Sequence, residues 1–209
     1  MLSIFLLNSY FDQLWERARD WDMRLFVSIN SSWTNKWVDS VYPWWRDANT
    51  WIPFYLFLIV FALVNFGRKA YAWIGFAVLT VALTDQISSN FLKKWIQRPR
   101  PCQDPEMAGH VRLLLDHCSG GFSFPSSHAT NHFGFAMFLF LTLRPWMKKW
   151  GYLLFLWAAT IAYGQVYVGV HYPIDISFGS LLGCFLGWVT ARLYRYFFQS
   201  PFESLPAQS

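Results

Sequence analysis

Three short segments of the chain contain residue types that can bind and transfer a phosphoryl group. They are KKWIQRPRP at 93–101, FPSSHATNH at 124–132 and GQVYVGVHYPID at 164–175. Lysine and arginine bind phosphate, arginine in a bidentate geometry. Histidine can attack phosphorus or transfer a proton near neutral pH. Together these residue types favour phosphoryl transfer through a phosphohistidine, without a metal.

The second segment predicts a helix start that binds an anion. Ser126 and Ser127 precede an apolar run, and serine is favoured at helix N-caps. The unpaired N–H groups and the dipole of a first helical turn attract negative charge. His128 would stand in this turn, where it could donate a proton. Simple capping beside an interfacial histidine remains the alternative.

The third segment places a histidine four residues before an aspartate. Pro173 suits the first position of a helix, so Asp175 would lie in the first turn and reach back to His171. A carboxylate on one ring nitrogen fixes the tautomer and raises the basicity of the other nitrogen. The spacing therefore indicates a nucleophile or base, although a capping aspartate next to an interfacial histidine is also possible.

The first segment supplies the cations. Lys93 follows a long apolar run, and Arg100 lies seven residues further on, before Pro101. Both are suited to holding a phosphate. The alternative is a group of charges that anchors the end of a helix.

The composition predicts an all-α, polytopic membrane helical bundle. The chain is 55% apolar and 21% aromatic but only 14% charged, whereas soluble domains contain about 25% charged residues. A spanning helix needs ~20 apolar residues. About five such spans are expected, at roughly 51–67, 70–91, 128–143, 151–169 and 174–191. The net charge of +5 comes without a Lys/Arg-rich run, so we expect no nucleic-acid partner.

The pattern divides the chain into three parts. Residues 1–50 alternate apolar and charged positions at helical spacing, as expected for amphipathic helices at the interface. Residues 51–196 form the membrane domain, with an outer loop at 92–127. Residues 197–209 are expected to be a disordered tail.

Basic residues in the short loops and at the chain end predict the orientation. Five spans place three groups of them on one side, which the positive-inside rule makes cytoplasmic: Arg68 and Lys69; Arg144, Lys148 and Lys149; and Arg192 and Arg195. The three segments with candidate chemistry then share the opposite face.

The order Lys-x6-Arg-Pro, Pro-Ser-x-His and His-x3-Asp resembles the signature of the type 2 phosphatidic acid phosphatases. These are integral-membrane lipid phosphatases with an active site related to that of vanadium haloperoxidases. The resemblance covers about residues 25–196. The register is fixed because Arg98 would need a lysine at position 91, which is Phe91. By this resemblance the roles are phosphate binding for Lys93, Arg100, Ser126 and the backbone of Ser127, general acid for His128, nucleophile for His171 and orientation of that histidine for Asp175.

Two positions depart from the family pattern. Ser127 replaces the usual glycine of the second motif, and Gly164-Gln165 replaces the usual Ser-Arg of the third. Gln165 can donate two hydrogen bonds but brings no charge. Losing an arginine–phosphate contact would weaken transition-state binding by a few kcal/mol. The nearby charges that could compensate are Lys94, Arg98 and Arg112.

The resemblance implies a phosphatase that acts on a phosphate ester or anhydride of a membrane lipid and needs no cofactor. Polyprenyl diphosphate or lipid A phosphate is favoured as substrate, and phosphatidylglycerol phosphate or phosphatidic acid is possible. The expected location is a bacterial inner membrane, with the active site facing the periplasm. The alternatives are a lipid phosphotransferase and a non-catalytic protein that binds or transports lipid phosphates. The oligomeric state stays open.

Three further features have both structural and functional interpretations. Cys102 and Cys118 could form a disulfide in an oxidising compartment or remain free thiols. Asp85 lies within an apolar span and could act in the site or in structural pairing. His128 and His132 have helical metal-ligand spacing, but no third ligand is evident, so no metal site is expected.

Overall fold

The computed structural model describes residues 2–198, and their side chains from residue 13 onward. Within that part of the chain all regular secondary structure is helical. The α-helices are α1 (Leu2–Val27), α2 (Lys36–Trp45), α3 (Ile52–Phe66), α4 (Lys69–Asp85), α5 (Lys93–Ile96), α6 (Ser127–Met147), α7 (Tyr152–Tyr167) and α8 (Pro173–Phe198). The predicted tail lies outside the described residues from position 199 onward.

Short helical turns of other types join these helices. The π-helical segments are Ser28–Ser32 and Gln86–Leu92, and the 3-10 segments are Ala48–Trp51, Pro101–Gln103, Pro105–Met107 and Lys148–Gly151. The segment Gln86–Leu92 continues α4 directly into α5. It thereby extends the second apolar span to the first residue of the cationic motif.

The predicted all-α membrane bundle is confirmed. Among residues 2–198, three helical segments are long and apolar enough to cross a bilayer: Ala48–Phe66, Lys69–Met107 and Pro173–Phe198. The other two apolar runs form α6 and α7 at the expected positions. A total of five spans stays a prediction.

Helix α6 lies at the centre of the bundle and packs most closely against α8. Gly179, Gly183 and Gly187 recur every four residues of α8 and face α6. A methyl group at Gly179 would lie 2.7 Å from the carbonyl oxygen of Ser126, and methyl groups at the other two would meet the carbonyl oxygens of Thr130 and Gly134. Small residues let two backbones approach closely in a membrane. This contact brings the N-terminal ends of α6 and α8 together.

The apolar core next to α6 is built largely from aromatic rings. Trp73 and Phe138 are buried with their ring centroids 5.8 Å apart, and Tyr194 packs on Phe138 at 6.1 Å. The buried indole N–H of Trp73 donates to the hydroxyl of Thr142 at 3.0 Å. This hydrogen bond satisfies the polar atom of the Trp73 ring while its apolar area is buried.

The N-terminal helices pack over one end of the bundle. Phe26 of α1 contacts Tyr172 edge-on, with the ring centroids 5.5 Å apart. The amide of Asn30, in the following π-helical segment, donates to the carbonyl oxygen of Tyr167 at 2.8 Å. The ring centroid of Tyr42, in α2, lies 5.2 Å from the ring centroid of Tyr167. Residues 13–45 thus contact the same end of α7 and α8 that contains His171.

The predicted disulfide between Cys102 and Cys118 is present. It closes a loop with little regular structure, for which the chain-entropy model gives about 3 kcal/mol. Ser123 continues the same loop, and its N–H donates to the carbonyl oxygen of Arg98 at 2.8 Å. The loop is therefore tied back to the cationic motif at both ends.

At the opposite end of the bundle two of the predicted basic groups lie together. Arg195 of α8 donates to the carbonyl oxygen of Leu141 in α6. Arg195 also shares a cavity of about 540 Å³ with Arg144, Lys148 and Lys149. The basic groups that the positive-inside rule uses thus lie away from the end that contains His171.

Candidate active site

The cationic motif changes from helix to extended chain between its two key residues. Lys93 begins α5, whose C-cap residue, Gln97, lies in the left-handed region (φ 53°). Arg98 and Arg100 each precede a proline, which disfavours helical backbone. Arg100 is accordingly extended, with φ −78° and ψ 154°. This path allows both arginines to approach the start of α8.

Arg100 contacts His171 directly. Its Nη1 lies 3.1 Å from Nε2 of His171 and donates to the carbonyl oxygen of Val170 at 3.0 Å. The carbonyl oxygens of Gly120 and Gly121 accept from its other nitrogens at 3.3 Å. The guanidinium of Arg100 has only hydrogen-bond donors, so the Nε2 atom of His171 that it contacts must be an acceptor. Nε2 is therefore the unprotonated nitrogen of the ring.

Asp175 lies next to the other nitrogen of the same ring. Its Oδ2 is 3.4 Å from Nδ1 of His171, and it accepts the N–H of Tyr172 at 2.8 Å. Asp175 lies in the first turn of α8, which begins at Pro173. The carboxylate thus reaches back to His171, as the spacing of the motif predicted, although Nδ1 and Oδ2 do not form a hydrogen bond. Nδ1 faces the carboxylate, while Nε2 faces the cations.

Arg98 neutralises this carboxylate from the other side. Its Nη1 is 2.6 Å from Oδ1 of Asp175, and its Nη2 is 2.7 Å from Oδ2 of Asp22. The guanidinium carbon lies 4.1 Å from the centroid of the Tyr172 ring. Arg98 is therefore engaged in holding Asp175 and does not line the cavity described below.

Asp22 of α1 is a site-supporting residue that the sequence analysis missed. It is fully buried, and its Oδ1 accepts the N–H of Ile174 at 2.8 Å, which caps the first turn of α8. A signal was present in the sequence. Asp22 is four residues after Ala18 and three before Leu25, which places a charge on the apolar face of the predicted helix.

We expect Asp22→Ala to destabilise the chain and to slow its reaction. Removing one partner of a buried ion pair costs about 3–5 kcal/mol, since Arg98 is left without one of its counter-charges. The measurement is thermal unfolding together with the rate of the reaction assigned below. Asp20→Ala is the matched control, because Asp20 is exposed on the same helix. Equal unfolding temperatures for the two variants would contradict this role.

The start of α6 lies against the start of α8. Ser126 is the N-cap of α6, with its side chain accepting from the N–H of Ala129. The N–H of Ser126 donates to the carbonyl oxygen of Asp175 at 3.1 Å. Ser127 and His128 follow in the first turn and line the same cavity as His171. The predicted anion-binding helix start is therefore located beside the predicted nucleophile.

Asp85 and His132 serve hydrogen-bond networks at the edge of the cavity. Oδ1 of Asp85 accepts from Ser89 at 3.1 Å and from Asn131 at 3.3 Å. His132 contacts the hydroxyl of Tyr55 at 3.3 Å through Nε2 and the carbonyl oxygen of His128 at 2.8 Å through Nδ1. Over the described residues, no three His, Cys, Asp or Glu side chains form a group that could hold a metal ion.

One cavity of about 840 Å³ joins the motif residues to an apolar channel. Its polar end contains Arg46, Lys93, Arg100, Ser119, Ser127, His128 and His171. Its apolar part lies between α3, α4 and α6 and is lined by Leu58, Ile59, Trp73, Ile74, Ala77, Val78, Val81, Ala82 and Phe135. The cavity can therefore take an anionic group and an attached hydrocarbon chain at once.

The cations and burial keep the His171 ring neutral. Burial, followed by the positive charges of Arg100, Lys93 and Arg46, holds the pKa of His171 well below its ordinary value of 6.5. A hydrogen bond with the backbone of Ser123 opposes this shift but does not outweigh it. A neutral ring keeps the lone pair of Nε2 available for attack.

Gln165 is buried and hydrogen-bonded to a residue that the sequence analysis did not consider. Its Oε1 accepts from Nε of Arg46 at 3.0 Å. The three charges named as possible substitutes for the family arginine lie elsewhere. Arg98 and Arg112 are ion-paired with aspartates, Lys94 is exposed, and none of the three lines the cavity.

Comparison with known proteins agrees with the motifs. The model of the PAP2 superfamily matches residues 70–199. A lipid A 4'-phosphatase of Bacteroides thetaiotaomicron is 34% identical over 178 residues, which cover 83% of this chain and 77% of the relative. Phosphatidylglycerophosphatase B of Bacillus subtilis is 33% identical over 69% of this chain and 72% of its own length.

The fold also matches a solved structure. The crystal structure of LpxE from Aquifex aeolicus superposes with a TM-score of 0.61 at 25% sequence identity, covering 81% of this chain and 94% of that one. The family match covers the cationic motif and both histidine motifs. From its motifs, its site geometry and this match, the chain belongs to the PAP2 superfamily.

Proposed function

We propose that the chain is a membrane lipid phosphatase that hydrolyses a phosphomonoester or diphosphate of a lipid through a phosphohistidine. The observation that carries this proposal is one cavity in which His128, His171 and three cations adjoin an apolar channel. The cations would hold the phosphate, and the channel would hold part of the lipid tail. The alternatives named above, transfer and binding without turnover, use the same cavity and are outcomes of the test.

The reaction needs two displacements at phosphorus. Nε2 of His171 attacks in line, a P–N bond forms and the P–O bond to the lipid breaks. His128 gives a proton to the departing oxygen. Water then breaks the P–N bond and releases inorganic phosphate, while His128 takes the proton of the water. Lys93 and Arg100 stabilise the charge on the equatorial oxygens in both steps.

Each neighbour of His171 has a defined part in these steps. Asp175 orients the ring through Nδ1 and stabilises the positive charge that appears when Nε2 bonds to phosphorus. The N-terminal turn of α6 offers backbone N–H groups to the phosphate at Ser127 and His128. Because Arg100 contacts Nε2 directly, the phosphate would insert between these two groups.

A lipid A phosphate or a polyprenyl diphosphate is our favoured substrate. The first is supported by the relative from Bacteroides thetaiotaomicron, which is a lipid A 4'-phosphatase. Phosphatidylglycerol phosphate and phosphatidic acid share the same two chemical features, a phosphate group and an apolar lipid body. The cavity itself requires only that the reacting phosphate lie within reach of the apolar channel.

We also propose that the site faces the periplasm of a bacterial inner membrane. Two of the basic groups lie at the end of the bundle away from His171, and positive loops favour the cytoplasm. The disulfide lies in the loop next to the site, and disulfides persist in oxidising compartments such as the periplasm.

The test is phosphate release by the purified chain in detergent, with a chelator and no added metal. The panel contains the four lipid classes, and the His171→Asn variant is the control. We expect release from at least one lipid and none from the variant. A new phospholipid without free phosphate would instead indicate transfer. Binding without release or transfer would contradict an enzymatic function.

A further inference from the structure

Arg46 is the third cationic side chain, besides Lys93 and Arg100, at the catalytic end of the cavity. It is the C-cap residue of α2, and it lines the cavity together with Lys93, Arg100, His128 and His171. It lies outside the region matched by the family model, which begins at residue 70. None of the three motifs contains it.

Gln165 holds Arg46 in this place. Oε1 of Gln165 accepts from Nε of Arg46 at 3.0 Å, and Nε2 of Gln165 lies 3.5 Å from the carbonyl oxygen of Arg46. The backbone carbonyl of Gln165 accepts the N–H groups of Val170 at 3.1 Å and of His171 at 3.2 Å. One residue therefore links Arg46 to the loop that positions the nucleophile.

Gly164 provides the space for this contact. A methyl group at Gly164 would lie 2.6 Å from Cδ1 of Tyr42 and 3.3 Å from Cβ of Arg46. The end of α2 can therefore approach α7 only because position 164 lacks a side chain. Gly164 and Gln165 are the two residues that stand where the family pattern has Ser-Arg. Both departures favour the approach of Arg46.

The guanidinium of Arg46 differs from those of its neighbours in its partners. Arg98 and Arg112, the other arginines that hold the N-terminal helices, are ion-paired with aspartates at 2.6–2.8 Å. Among residues 13–198, Arg46 takes part in no ion pair, and its guanidinium contacts the neutral amide of Gln165. A partly buried guanidinium that forms no ion pair and lines an anion site is suited to binding a phosphate oxygen.

We propose that Arg46 is a phosphate-binding residue and that Gln165 is its positioning residue. The N-terminal segment thereby supplies the cation that the third motif lacks, and the arginine enters the site from α2 rather than from α7. This inference rests on the proposed function, since it assigns a further residue to the same phosphate site. The ligand group is the phosphate itself, whatever lipid bears it.

The test compares Arg46→Ala, Arg46→Gln, Arg46→Lys and the double variant Arg46→Ala/Gln165→Arg. The double variant moves the guanidinium to the position of the family arginine. Arg24→Ala is the control, because Arg24 is an exposed arginine on α1. Two quantities are measured for each: kcat/KM for a lipid that the panel identifies, and the stabilisation against heat by orthovanadate, an anion that resembles the phosphoryl transition state.

We expect Arg46→Ala to lower kcat/KM by roughly 10²- to 10³-fold, as loss of one transition-state donor does in other enzymes. Orthovanadate stabilisation should decrease with it, and the control should match the unaltered chain. Arg46→Lys should fall between, because an ammonium keeps the charge but not the bidentate geometry. The double variant should recover at least about tenfold over Arg46→Ala, a rescue that a purely structural role cannot give.

Arg46→Gln keeps the length and the polar end of the side chain, so it replaces Arg46→Ala if the latter does not fold. A variant of either kind with kcat/KM and orthovanadate binding within about threefold of the unaltered chain would overturn the proposal. So would a double variant no better than Arg46→Ala. If the unaltered chain releases no phosphate from any lipid, the function fails, but orthovanadate binding that depends on Arg46 still supports the site.

Discussion

We expect the His171→Asn variant to release phosphate roughly 10⁴- to 10⁶-fold more slowly than the unaltered chain, as removal of a nucleophile does elsewhere. His171 is 2% exposed and contacts Arg100 through Nε2, so no neighbouring group can replace its attack. His117→Asn is the matched control, since His117 is an exposed histidine of the 92–127 loop and does not line the cavity. A variant that retains a tenth of the activity would contradict the role of nucleophile.

The covalent intermediate gives a second measurement on the same pair of proteins. The unaltered chain, quenched during turnover, should contain phosphate in a linkage that acid breaks and base does not, as expected for a P–N bond. The His171→Asn variant should contain none. Label that persists in the variant would place the phosphoryl group on another residue.

The pH dependence of kcat/KM reports the protonation of the same ring. Because the pKa of His171 is lowered from 6.5, its reactive neutral form should persist below pH 6.5. Activity should therefore fall on the acid side only as the pH decreases through that lowered value. An acid limb above pH 6.5 would mean that the carboxylate of Asp175 outweighs burial and the three cations.

Sequence reasoning could name the candidate reacting residues because each belongs to a short motif whose local geometry follows from the chain. A serine before an apolar run caps a helix, and a proline two residues after a histidine starts one. The structure places His128 and His171 at two such helix starts. What joins the two starts is the run of glycines on α8, which the motifs do not include.

The residues that sequence reasoning missed reach the site from distant parts of the chain. Arg46 lies 119 positions before Gln165, and no local pattern indicates that α2 contacts α7. Asp22 was detectable in principle as a charge on an apolar helix face, but its partner Arg98 could not be named. Arg98 does not take the place of the family arginine, because its guanidinium is ion-paired with the nearby Asp175.

The number of spans was harder to predict than their positions. Helix α7 has 16 residues in the structure, fewer than the ~20 that a span usually needs. Helix α6 has polar residues in its first two turns because they serve the cavity, among them His128, Asn131 and His132. The two signals of a spanning helix, its length and its hydropathy, are therefore weaker for α6 and α7, which flank the site.

We expect His128→Asn to slow the reaction in a way that depends on the leaving group. On a lipid phosphomonoester, whose departing alkoxide needs a proton, the variant should lose about 10²–10⁴-fold in rate. On an aryl phosphate such as p-nitrophenyl phosphate, whose departing oxygen needs no proton, the first step should change by less than about tenfold. The measurement is the burst of nitrophenol released in the first turnover, with His117→Asn as the control.

The second half of the reaction distinguishes an acid from a simple binding group. By microscopic reversibility, the residue that protonates the leaving oxygen also takes the proton of the attacking water. The His128→Asn variant should therefore give a normal burst on the aryl phosphate and then accumulate phosphohistidine. Equal losses on both substrates, without accumulation, would mean that His128 holds the phosphate at the start of α6 and transfers no proton.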